Sequence, residues 1–163
     1  MKRRITIWML CLVAIIICTG LAYAQTIKPG TMKTIKLPSG EEVYDLSGEW
    51  DVIVENYGAM KSYGAYPQVF KITQEGSSFT GIRLKDNPPP ALGAAGSKCM
   101  EGELDKSGFK KLEIISGPGV ILPGKGQISE DGNKMNIDVP QRYRYTLTRK
   151  WDIGSAFDEH FYR

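Results

Sequence analysis

Few residues of this chain carry chemistry on their own. The single histidine, His160, follows Asp158 and Glu159 near the end of the sequence. Three adjacent side chains rarely converge on one ion, so this cluster reads as a solvated tail and no metal site is predicted. Gly119 to Lys125 has the spacing of a phosphate loop, G-x-x-x-x-G-K. The following residue is Gly126 rather than the Ser or Thr that would hold magnesium, and Pro123 removes a backbone donor, so the segment reads as strand, turn and strand. There is no nucleophile elbow, no C-x-x-C pair and no haem attachment signature. No catalytic set and no cofactor is predicted, and the chain reads as a non-enzyme. The residues best suited to hold a ligand are tyrosines. Tyr57, Tyr63 and Tyr66 lie in a Gly- and Tyr-rich loop, and Tyr143 and Tyr145 alternate along one face of the last apolar run. Adaptable glycines with aromatics suit a binding loop, and inward hydroxyls suit a ligand head group. Packing of the same rings against their own domain is the structural alternative.

The segments that must position these residues begin after the first 24. MKRR is a basic start, ITIWMLCLVAIIICTGLA is apolar, and Ala22-Tyr23-Ala24 fits a signal-peptidase site. Residues 1–24 are therefore expected to be a signal peptide, and the protein to be exported, periplasmic or extracellular. The run is near the lower length for spanning a bilayer, so membrane contact is expected only through this segment, if it is left uncleaved. Of 21 basic and 18 acidic residues, Lys2, Arg3 and Arg4 belong to it, which leaves 18 of each sign. Bulk charge then gives no reason to expect a nucleic-acid partner. Of 3 cysteines, Cys11 and Cys18 fall in the same segment, and Cys99 alone cannot form an internal disulfide. It reads as a half-buried residue at a strand end.

Residues 25–45 are polar, with Pro29, Gly30, Pro38 and Gly40, and read as an extended N-terminal arm with one short hairpin around Pro38-Ser39-Gly40. From Leu46 to Trp151 the pattern changes to short alternating runs between turn residues, about eight candidate strands in all. They are Gly48–Asn56, Gln68–Gln74, Ser78–Lys85, Cys99–Leu104, Phe109–Ile115, Lys125–Ser129, Asn133–Val139 and Arg142–Lys150. Pro88-Pro89-Pro90 excludes a central strand from the long loop between the third and fourth. The inward faces are expected to carry Trp50, Val52 and Val54, then Phe70 and Ile72, then Ile82 and Leu84, and Met100 and Leu104. Leu112, Ile114, Ile128, Met135, Ile137, Tyr143, Tyr145 and Leu147 complete the set. Gly102 and Gly126 fall on the same face and offer room inside, whereas Trp50, Phe70 and the two tyrosines take it up, so a filled or small cavity is as consistent with the pattern as a large one. The fold class is all-β, and short connections favour an antiparallel eight-stranded up-and-down barrel with a C-terminal tail at 152–163.

Gly48-Glu49-Trp50 at the start of the first long strand and Arg149 at the end of the last resemble the lipocalin and calycin arrangement. The segment KITQEGSSFTGIR, residues 71–83, is similar to the strand-turn-strand of small bacterial barrels of that kind. The resemblance implies that Trp50 plugs one end of the barrel with Arg149 packed across its indole ring, a structural closure. It also implies a mouth at the opposite end that holds a small, mostly apolar molecule. The chain departs from the larger members in lacking a T-D-Y motif and a long helix before the last strand. Two functions follow. One is non-catalytic binding of a small apolar ligand. The other is a structural or protein-interaction module of the cell envelope, with a filled barrel. Oligomeric state is not legible.

Overall fold

A computed structural model describes residues 33–88 and 93–150. The expected signal segment, most of the polar arm, Pro89 and Pro90, and the tail with Asp158, Glu159 and His160 lie outside the described residues.

A two-stranded hairpin comes first, β1 (Thr34–Lys36) with β2 (Glu42–Tyr44), turning through Pro38-Ser39-Gly40. The remaining strands are β3 (Gly48–Asn56), β4 (Ala65–Glu75), β5 (Ser78–Arg83), β6 (Lys98–Asp105), β7 (Gly108–Gly117), β8 (Val120–Pro123), β9 (Lys125–Ile128), β10 (Lys134–Val139) and β11 (Tyr143–Arg149). The Gly- and Tyr-rich loop is a short 3-10 turn, Gly58–Tyr63. All sheet pairings are antiparallel, and the nine-stranded sheet runs β8-β7-β6-β5-β4-β3-β11-β10-β9. Its two end strands are separated in the chain by Gly124 alone. One length of chain therefore pairs with β7 in its first half and with β10 in its second, which makes a nearly closed barrel.

The sequence predicts eight strands where the sheet has nine, because Val120–Pro123, not counted among the eight, pairs with β7. Glycine makes the switch of partner possible. A Cβ on Gly124 would lie 3.1 Å from the Leu112 side chain, and one on Gly126 would lie 2.6 Å from the Phe109 ring. The Gly124 amide still bonds the Leu112 carbonyl at 2.9 Å. Beyond that point the side chains of β7 lie against the backbone of β9.

The inner faces agree with the alternation read from the sequence on β3, β4, β7, β10 and β11: Trp50, Val52, Val54, Phe70, Ile72, Leu112, Ile114, Met135, Ile137 and Leu147 are all buried. The phase of β5 is the correction. Phe79, Gly81 and Arg83 point inward, Ile82 is half-buried, and Leu84 lies past the strand end at 37% exposure. A Cβ at Gly81 would sit 2.5 Å from the Met100 side chain, so Met100 fills the place where a side chain of β5 would be. The two inward glycines do not hollow the barrel, which leaves the filled alternative. The space at Gly102 is taken by the Lys111 carbonyl and the Phe79 ring and that at Gly126 by Phe109, and these two rings meet edge to face at 5.7 Å. Cys99 is fully buried rather than half-buried, and desolvation pushes its thiol up to about 12.

The hairpin is more than an arm. Val43 and Leu46 enter the core. The Leu46 amide donates to Gln74 Oε1 at 2.7 Å, and Gln74 Nε2 donates to the Tyr44 carbonyl at 2.9 Å. The segment between hairpin and barrel is thereby fixed across one end of the sheet.

Candidate functional site

The two ends of the barrel are built differently, and a buried arginine marks each. At the floor, Trp50 is 0% exposed, and its Nε1 donates to the Leu46 carbonyl at 2.9 Å. The Arg149 guanidinium lies 4.5 Å above the indole. It donates to the carbonyls of Ser47 at 2.7 Å and of Asp45. Trp50 and Arg149 are direct partners in the β3–β11 register, so the stacked pair ties the first barrel strand to the last. Burial pulls the guanidinium below its usual value, and the nearby Asp45 charge opposes that shift. The pairing implied by the resemblance is thus present in geometry, and the indole and guanidinium fill this end of the barrel.

At the mouth, four of the five candidate tyrosines come together. Tyr63, Tyr66, Tyr143 and Tyr145 line one depression with Asn56, Arg83, Asn87, Pro88 and Ser116. Its free volume is only about 10 Å³, the size of one water rather than an organic molecule. Tyr143 and Tyr145 pack at 6.0 Å between ring centres, and Tyr145 meets Phe70 at 6.2 Å. Desolvation pushes the hydroxyls of Tyr66 and Tyr145 up, with the Arg83 charge acting in the opposite direction on both. They are therefore neutral donors at any physiological pH. Tyr63 stays at the rim, 51% exposed.

The fifth tyrosine is elsewhere. Tyr57 donates its hydroxyl to Asp138 Oδ1 at 2.9 Å and accepts from the Gln141 amide at 3.0 Å. Arg144 sits over its ring at 4.8 Å. Desolvation, and then the Asp138 bond, raise its hydroxyl. Tyr57 pins the loop after β3 to the β10–β11 turn, where Gln141 adopts a left-handed φ of 61°. Gly58 is needed beside it, because a Cβ there would lie 2.4 Å from the Gln141 carbonyl oxygen.

The residues that sequence reasoning missed are the buried polar ones. Arg83 is 3% exposed, and its Nη atoms donate to Ser97 Oγ at 3.2 Å, the Lys98 carbonyl at 3.0 Å and the Ile115 carbonyl at 2.6 Å. It thus gathers the mouth ends of β5, β6 and β7. Gln68, also inward and buried, donates through Nε2 to the Asp86 carbonyl and to Asn87 Oδ1, both at 2.9 Å. Its Oε1 has no hydrogen-bond partner among the described residues. The available signal was the interruption itself: a charged residue at an every-second position of a strand whose other inner positions are apolar or glycine.

Depressions of about 440 and 400 Å³ flank the barrel. The first lies over β9, β10, β11 and β3 on their outer faces, between Glu55, Lys125, Gln127, Asn136, Asp138 and Arg144. Its charges are of both signs and partly paired, with Arg144 Nε 3.5 Å from Asp138, as expected of a solvated sheet face. The other, about 400 Å³, lies at the mouth end between Gly93-Ala94 and the β7–β8 turn. It is lined by Arg83, Ser97, Lys98, Ile115 and the glycine and proline backbone of Gly117-Pro118-Gly119. Arg83 borders both this groove and the tyrosine-lined depression. No protein-family model matches the chain, and comparison with curated proteins and with solved structures returns no significant match.

Proposed function

We propose that this is an exported, non-catalytic binding protein of calycin type, which takes a small and mostly apolar ligand in the mouth-end groove beside Arg83 rather than inside the barrel. The groove carries the reading. At about 400 Å³ it falls in the lower part of the range for small-molecule sites, whereas the tyrosine-lined mouth has about 10 Å³. In this reading Tyr66, Tyr143 and Tyr145 support the inner side of Arg83, Tyr57 braces the neighbouring loop, and Tyr63 stays at the rim. The barrel is a rigid scaffold with its floor sealed by Trp50 and Arg149.

The filled interior favours a second reading, a protein-interaction module of the cell envelope that works through its loops. Native mass spectrometry of protein purified from its own host separates the two. The ligand reading expects a small-molecule adduct that disappears in Ala94→Trp, which fills the groove from an exposed position. Absence of any adduct in repeated preparations, or an adduct indifferent to Ala94→Trp, would count against the groove and leave the interaction module.

A further inference from the structure

Arg83 and Arg149 are both buried, yet they are compensated differently. Arg149 has the Asp45 charge nearby and an aromatic face beneath it. Around Arg83, among the described residues, no carboxylate lies within ion-pairing distance, and its bonds go to a hydroxyl and two neutral carbonyls. Gly93 lies close against the same group. A Cβ there would be 2.8 Å from both Cζ and Nε, and the Gly93 φ of +153° also favours glycine. A guanidinium removed from water costs much of its hydration, and neutral dipoles return only part of it. Buried arginines are ordinarily matched by a negative charge. The groove, which Arg83 lines, leaves room beside the guanidinium for such a charge.

We infer that the groove between Gly93-Ala94 and Gly117-Pro118-Gly119 binds an anionic amphiphile, with its negative head group paired to the Arg83 guanidinium and its apolar part laid along Ile115 and Pro118. The inference rests on the ligand-binding reading above and deepens it by naming the head group. Arginine suits the role because its planar fork can give a carboxylate or phosphate two parallel hydrogen bonds. Lys98 at the groove edge adds positive potential, although its ammonium is already paired with Glu101 at 2.8 Å. The groove has no buried acid to repel such a group, since the residues lining it carry no carboxylate. A free carboxylate and the head group of an anionic lipid share this chemistry.

The test uses the purified protein and two eight-carbon probes of equal tail, octanoate and octanol, titrated by NMR with amide shifts followed at Ala94, Gly117 and Gly119. The expected result is saturable shifts at these amides, with octanoate bound at least about tenfold more tightly than octanol, the usual worth of a charge-assisted bond. In Arg83→Gln the preference should fall to near parity while octanol binding persists. Because Arg83 also holds the ends of β6 and β7, Ala94→Trp serves as a second variant that leaves the guanidinium untouched and should abolish both interactions. Equal affinity for the two probes in the unaltered protein overturns the anionic head group but keeps the groove. Absence of shifts from either probe overturns both the head group and the ligand reading. Flotation with phosphatidylglycerol and phosphatidylcholine vesicles then separates the sources. Arg83-dependent recovery with the anionic vesicles alone assigns a lipid, and octanoate binding without recovery assigns a free carboxylate.

Discussion

Replacing Trp50 by alanine tests the floor of the barrel most directly. The side chain is fully buried, and removing a buried aromatic ring costs about 3–5 kcal/mol through lost transfer energy and the cavity left behind. Two further losses act in the same direction. The Leu46 carbonyl loses its donor, worth about 1–3 kcal/mol if nothing replaces it. The Arg149 guanidinium loses its stacking surface at 4.5 Å, worth about 0.5–2 kcal/mol. These terms share atoms and do not add, so about 5 kcal/mol is expected, a large part of the roughly 5–15 kcal/mol that holds a domain together. Trp50→Phe keeps most of the ring and should cost about 1–2 kcal/mol, mainly through the lost N–H. Urea unfolding at constant slope gives each value. A double-mutant cycle of Trp50→Phe with Arg149→Met should show coupling, because the two residues touch and are register partners. A loss below about 1 kcal/mol for Trp50→Ala, or no coupling in the cycle, would refute the closure.

Gly126→Val should destabilise by about 1–3 kcal/mol in urea unfolding despite the better strand propensity of valine, because Phe109 occupies the side-chain position. Phe109→Leu should recover part of that loss, and equal stability of Gly126→Val and the parent would mean β9 does not lie against β7. Asp131 accepts hydrogen bonds from Ser129 Oγ, the Asn133 amide and Asn133 Nδ2, which hold its carboxyl below the usual aspartate range. The folded state therefore binds that proton less readily than the unfolded chain. The resulting stability is complete above an unfolded value of about 3.9 and is lost as pH falls through the folded value. The difference between parent and Asp131→Asn should accordingly shrink between pH 6 and pH 3, and a constant difference would contradict the assignment. The Cys99 thiol, pushed up to about 12 by burial, should resist an aromatic disulfide reagent at pH 8 until the protein unfolds. Rapid labelling in native buffer would show that the β5–β6 pairing opens locally.

The strands were legible because alternation survives wherever one face of a sheet is buried. Gly48–Asn56 agrees with the structure residue for residue, and β11 alternates without interruption from Tyr143 to Arg149. The phase failed on β5 because hydrophobicity was the only guide. Ile82 and Leu84 are larger and more apolar than Gly81 and Arg83, yet Met100 fills the glycine position and three acceptors satisfy the arginine. Inward glycines left the question of a hollow barrel open. In a sequence they read as empty space, but Phe79 and Phe109, from neighbouring strands, occupy it. Four of the five tyrosines line one depression, Tyr57 excepted, and no sequence pattern gives the volume left between them. The groove beside Arg83 was not legible because much of its wall is backbone of glycine and proline, which has no periodicity to read.

The seam between β3 and β11 sets an order on assembly. Its partners are far apart in sequence: the Arg149 guanidinium bonds the Ser47 carbonyl 102 residues away. Every other ladder of the barrel joins strands that follow one another in the chain. Strands β3 to β10 can zip up as each is made, at low loop-closure entropy, but β3 keeps one bare edge until the last strand arrives. A nascent chain, or one cut before Tyr143, is thus a sheet with an open, partly apolar border, and such borders invite pairing with other chains. The final seven-residue strand is therefore what ends the sheet's availability to its neighbours.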